Sequence, residues 1–113
     1  FKLIESFSQP LPPEVASPVL WGDMAVIEDR LKDHFNQIEF GRDTMFAPTM
    51  SPAHMLKLFE KNAGPLANLV KALANDPDKL SYLRNAALEL IENFFSNNFL
   101  RQDFLMTRCI KKV

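Results

Sequence analysis

Two histidines, one cysteine and one tryptophan hold most of the chemistry open to this chain. His54 falls at the third helical position after Ser51-Pro52, where a near-neutral imidazole facing a cleft would suit acid–base work. Nothing near it in sequence would tune such a group, so a solvent-facing or capping histidine is the plainer expectation. Trp21 joins an apolar body to a polar edge, which suits the wall of a ligand pocket. Its plainer role is a plug that holds its loop on the core. Cys109 has no partner for an internal disulfide and sits in an apolar run, so it reads as a buried, inert thiol in a reducing compartment. Lys111-Lys112 is too short for an electrostatic anchor.

Chemistry that needs several groups together finds no pattern here. Gly22, Gly41 and Gly64 are scattered singly, so no loop can cradle a phosphate. His34 and His54 lie on separate predicted helices and there is no paired cysteine, which leaves no metal-ligand spacing. No serine, threonine or cysteine has a base at a telling distance. The residues alone therefore assign no catalytic, cofactor-binding or metal-ligating position.

The elements that would position these residues are easier to read. The chain has 113 residues, 47% of them hydrophobic, with ten Phe and five Met, enough for one core without disulfides or metals. Thirteen basic and fourteen acidic residues leave a net charge of -1, so no overall field draws in nucleic acid or an anionic membrane. No apolar run approaches the ~20 residues of a membrane span, and no charged-then-apolar leader opens the chain. A soluble, cytoplasmic protein is expected.

Leu3, Ile4 and Phe7 share one face of a predicted helix over residues 1–9. A pattern already helical at Phe1 reads as a chain entered in mid-structure, or one trimmed at its start. Pro10, Pro12, Pro13 and Pro18 make residues 10–22 a stiff connector. Asp23 then caps a predicted helix over 23–36, on which Ile27, Leu31 and Phe35 recur every four residues. The period changes to two at Gln37, where Ile38 and Phe40 open a strand over 37–47.

Residues 52–96 read as a helical cap. Ser51-Pro52, Gly64-Pro65 and Asp76-Pro77 each pair a cap or break with a first-turn proline. The last of these opens a helix to Ser96 whose stripe of Leu80, Leu83, Ala87, Leu90, Ile91 and Phe94 is wide enough for contacts on two sides. A second strand follows over 103–112, apolar on both faces and so interior to a sheet. The expected fold is α+β in a single domain over 1–113, mostly helical with four to five helices. Two antiparallel strands lie near 37–46 and 103–112. Because an isolated two-stranded ribbon is marginal, something must cover or extend it.

Ser17-Pro18-Val19-Leu20-Trp21-Gly22-Asp23 follows the proline-rich loop and leads into a helix. After it come a strand with Phe40-Gly41-Arg42, a proline-led helix ending in Phe59, the Gly64-Pro65 step, further helices and a last strand. This order resembles the C-terminal region of class I S-adenosylmethionine-dependent methyltransferases of the type 11, ubiquinone/menaquinone methyltransferase-like group. The resemblance covers nearly the whole chain. Where that pattern would place aromatic residues before Gly64-Pro65, this chain has Asn62-Ala63.

The resemblance implies that the two strands end a larger sheet and that the helical block caps a substrate pocket. It also implies that S-adenosylmethionine is bound by an N-terminal half carrying the glycine-rich loop, so this chain alone is inactive and binds no cofactor. Candidate ligand-lining residues are Trp21, Arg42, His54, Phe59 and Asn62. An exposed sheet edge and face favour self-association, giving a homodimer or larger assembly. The alternative is a stand-alone oligomeric module enclosing a small apolar ligand or a partner protein, which the many Phe and Met would suit.

Overall fold

The computed structural model of the chain describes residues 2–8 and 12–113. Its elements run α1 (Lys2–Phe7), a 3₁₀ turn (Pro18–Gly22), α2 (Met24–Leu31), β1 (Phe35–Pro48), α3 (Pro52–Asn62), α4 (Gly64–Ala72), α5 (Pro77–Asn93), β2 (Phe95–Ser96) and β3 (Phe99–Lys111). The fold is α+β, with an antiparallel sheet of order β1-β3-β2. Phe1 and Gln9 of the predicted first helix, and residues 9–11 around the start of the connector, lie outside the described residues.

The sheet has three strands where two were expected, and the reason is local. The predicted long helix stops at Asn93, so Phe94 and Phe95 leave its stripe and Phe95-Ser96 becomes β2. Ser96 pairs with Phe99 across a two-residue turn, Asn97-Asn98, whose φ values of 51° and 64° are both left-handed. That is the backbone pattern of the tight hairpin turn whose twist matches its strands, and asparagine tolerates it well. The hairpin also draws the start of the last strand back to Phe99 from the expected 103.

The helix expected to reach residue 36 ends at Leu31. Lys112 N–H donates to the His34 carbonyl at 3.0 Å, and Lys112 Nζ donates to the Lys32 carbonyl at 2.8 Å. Pairing with β3 outweighs the helical spacing of Phe35, which starts β1 instead. Gln37 has φ 50°, a left-handed conformation uncommon for a residue with a side chain. It marks a β-bulge: from His34 to Thr49 the chain advances fifteen residues, while the partner strand advances fourteen from Asn98 to Lys112. The extra residue lets both Phe35 and Ile38, three apart, be half-buried.

The chain forms two compact units. One comprises Phe1–Pro10 with Phe46–Gln102, the other Leu11–Met45 with Asp103–Val113. In the first, Met55, Ile91 and Leu100 form one buried cluster, and Leu66, Leu69 and Leu83 form another. Leu56 and Phe59 of α3 pack against both. Leu83 is 1% exposed. Leu3, Ile4 and Phe7 of α1 lie against the second cluster, with the Phe7 ring 5.8 Å from that of Tyr82.

In the second unit, Asp23 caps α2 by accepting from Ala25 N–H (3.0 Å) and Val26 N–H (3.3 Å), and Ile27 is 1% exposed. Thr44 Oγ1 donates to Asp103 Oδ1 at 2.8 Å, which sets these two on one face of the sheet. By alternation, Ile38, Phe40, Leu105, Thr107 and Cys109 share that face, and all are half-buried. The opposite face carries Met45, Phe104, Met106 and Ile110, all exposed.

Candidate functional site

The first unit holds an apolar cavity of about 400 Å³ flanked by its two buried clusters. Leu3 and Ile4 of α1 form one wall, and Leu56 and Phe59 of α3 another. Ala87, Leu90 and Ile91 of α5 close a third side, with Ala63, Pro65 and Leu66 at the α3–α4 junction. One polar side chain, Gln102 of β3, reaches it. The local sequence explains the opening. Gly64-Pro65 turns the chain sharply between two helices, and Ala63 and Ala87 are small where larger residues would fill the space.

His54 lies in the same unit, but its ring serves the start of α3. Ser51 Oγ accepts from His54 N–H at 3.0 Å, as an N-cap does for the third helical amide. The ring returns to the preceding loop, where Nδ1 accepts from Met50 N–H at 3.4 Å. Thr49 Oγ1 is 2.8 Å from that same nitrogen, and since Nδ1 already accepts, the hydroxyl is the donor. Thr49 is 8% exposed. A hydroxyl spent on one nitrogen and a backbone amide beside it leave Nδ1 occupied by structural bonds. Asn62, the last residue of α3, is exposed.

Two further features belong to this unit. Arg84 Nε and Nη2 donate to the two carboxylate oxygens of Glu60 at 2.8 and 3.2 Å, tying α5 to α3. These hydrogen bonds hold the Arg84 guanidinium above its ordinary pKa. Phe46 and Phe99 meet edge to face at 6.2 Å, while Arg101 lies 5.7 Å over the Phe94 ring. A smaller cavity of about 220 Å³ opens among these aromatic residues.

In the second unit, Trp21 is 54% exposed and is no core plug. Arg30 Cζ lies 4.8 Å above its ring, a cation–π contact that leaves one indole surface covered and the rest in water. Arg42 stands on β1 and is exposed. Cys109 is half-buried and unpaired. Of the candidate lining residues, only Phe59 lies in the wall of the large cavity among the described residues. Leu90 belongs to the predicted stripe and Ala63 precedes the Gly64-Pro65 step, but neither they nor Gln102 were among the candidate lining residues. The width of the α5 stripe was the one signal for Leu90, and Gln102 stood just before the expected strand.

None of the three glycines has a positive φ, and a Cβ on any of them would meet nothing within 4 Å. Among the described residues, no group of three or more His, Cys, Asp or Glu comes together to hold a metal ion. No helix among them is long and apolar enough to cross a membrane. Compared with protein families, with curated proteins and with solved structures, the chain matches nothing.

Proposed function

We propose that this chain is the terminal-strand and substrate-covering part of a methyl-transfer enzyme whose cofactor-binding half lies outside these 113 residues. The reading rests on the resemblance carried by Ser17 to Asp23 and by the order of strand, proline-led helices and last strand. The observation that supports it best is the state of β3. Two residues of β2 pair with it at Phe99 and Leu100, and among the described residues no strand continues that pairing towards Lys111. Phe104, Met106 and Ile110 are apolar and exposed along the same stretch. An open edge beside a bare apolar face is what a strand offers when further strands and helices belong against it.

On this reading the catalytic half supplies the cofactor site, and the helices of the first unit cover the methyl acceptor. Without that half, the same edge and face pair two copies of the chain. An intracellular setting agrees with an unpaired, half-buried Cys109.

Two measurements test it together. Titration of the purified chain with S-adenosylmethionine in a calorimeter should give no binding heat, and micromolar binding would overturn the assignment of the cofactor to another half. The coding sequence upstream of Phe1, or a neighbouring reading frame, should encode a strand, a glycine-rich loop and a helix. A start codon directly before Phe1 with no such neighbour sinks the proposal.

A further inference from the structure

We infer that the cavity between α1, α3, α4 and α5 is a binding site for a small, uncharged, largely apolar molecule carrying one hydroxyl or carbonyl oxygen. The inference does not rest on the methyl-transfer reading, since it concerns binding by this chain alone. Its volume of about 400 Å³ lies within the range of ligand pockets, which run from roughly 300 to 1,000 Å³. Side chains of Ile4, Phe59, Leu66 and Ile91 give it an apolar lining, and the described lining residues include no charged group. Leu90, 49% exposed, is among its lining residues, an apolar side chain left half uncovered.

Specificity comes from Gln102, the one polar side chain among the described lining residues. Its amide offers both a donor and an acceptor, so it can meet a hydroxyl or a carbonyl with equal ease. A carboxylate or an ammonium would have to leave water for a wall with no opposite charge, a transfer that strongly disfavours it. The occupant is therefore neutral, with a chain or ring filling the apolar space and a single oxygen turned to Gln102.

The test compares 1-decanol with decanoate on the purified chain, by methyl-resolved NMR. In the expected result, 1-decanol shifts the methyl signals of Leu56, Leu66, Leu90 and Ile91, and decanoate binds about tenfold more weakly or worse, a difference of about 1.4 kcal/mol. Ala63→Phe, which fills the cavity, should abolish the shifts. Gln102→Leu should keep the fold and weaken 1-decanol about threefold to tenfold while leaving the same methyl signals affected. Should Ala63→Phe fail to fold, Gln102→Leu and the decanoate comparison still decide. Equal binding of alcohol and carboxylate, or shifts confined to residues outside the cavity, overturns the inference.

Discussion

Thr49 Oγ1 lies 2.8 Å from His54 Nδ1, so the residue before the helical block and a residue in its first turn are locked by a side-chain hydrogen bond. With Ser51 Oγ accepting from His54 N–H, the start of α3 is held from both directions. Thr49→Val should cost about 1 kcal/mol, because the half-buried ring nitrogen loses its hydroxyl donor. Ser51→Ala should cost about 1 kcal/mol as a lost cap. Urea denaturation of the two single variants and the double variant measures this, and the shared turn predicts non-additivity of about 0.5 kcal/mol or more.

The bulge at Gln37 and the turn at Asn97-Asn98 are three non-glycine residues held at positive φ. Gln37→Gly and Asn98→Gly should each leave stability unchanged or raise it by up to about 1 kcal/mol. Gln37→Val and Asn98→Val should each lower it by about 1–2 kcal/mol, since a β-branched residue resists the left-handed region. Thermal unfolding of the four variants separates a true bulge from a chance conformation.

Leu83, almost wholly buried beside Leu66 and Leu69, marks the part of the first unit with least freedom to relax. Leu83→Ala should cost about 2–5 kcal/mol. Leu90→Ala, on the exposed side of the same helix, should cost under about 1 kcal/mol and alter ligand binding instead. Chemical denaturation beside the decanol titration distinguishes the two.

Two ion pairs differ in kind. Glu60 and Arg84 meet at two points, so Arg84→Lys should cost up to about 1 kcal/mol through loss of the fork geometry. Asp29 is held below the usual carboxylate range by its hydrogen bond to Lys32, and by that group's charge, on a fully exposed turn of helix. Its folded value is the lower one, so whatever stability it adds is present above the unfolded value and lost as pH falls through the folded one. Asp29→Asn should leave stability at neutral pH nearly unchanged and slightly flatten its acid limb. Stability curves between pH 3 and 7 at low and high salt check both statements.

Met106 is 57% exposed on the bare face of the second unit. Met106→Lys should leave thermal stability within about 0.5 kcal/mol, as for surface substitutions generally. It should shift the chain towards monomer in light scattering, because a charge on that face opposes apolar association. Unchanged assembly would show that this face is not where copies meet.

Much of this architecture was legible because its signals are local. Ser51-Pro52 and Asp76-Pro77 each place a cap and a first-turn proline together, and the helices begin where those pairs stand. Ile38 and Phe40 alternate as a strand residue should. What was not legible depends on partners distant in sequence. Phe35 continues the spacing of Ile27 and Leu31, and only pairing with β3 makes it a strand residue. Phe94 and Phe95 continue the α5 stripe, and only the asparagine turn behind them forces the helix to end. The cavity was harder still. Phe59 was named for its type and place, whereas Gln102 acquires its meaning solely from the helices brought opposite it.

Thr49 N–H donates to the Asn98 carbonyl at 2.9 Å, so the end of β1 is tied to the β2–β3 turn after the intervening helices. The two ends of the helical segment are thus clamped together at the sheet. Loop-closure cost grows only slowly with length, about 0.6 kcal/mol for each doubling. Length changes in the segments between the helices therefore carry a small entropic cost as long as Met55, Ile91 and Leu100 keep their contact. Because Leu100 and Gln102 of β3 stand in the buried cluster and in the cavity wall, the sheet itself is part of whatever the helices enclose.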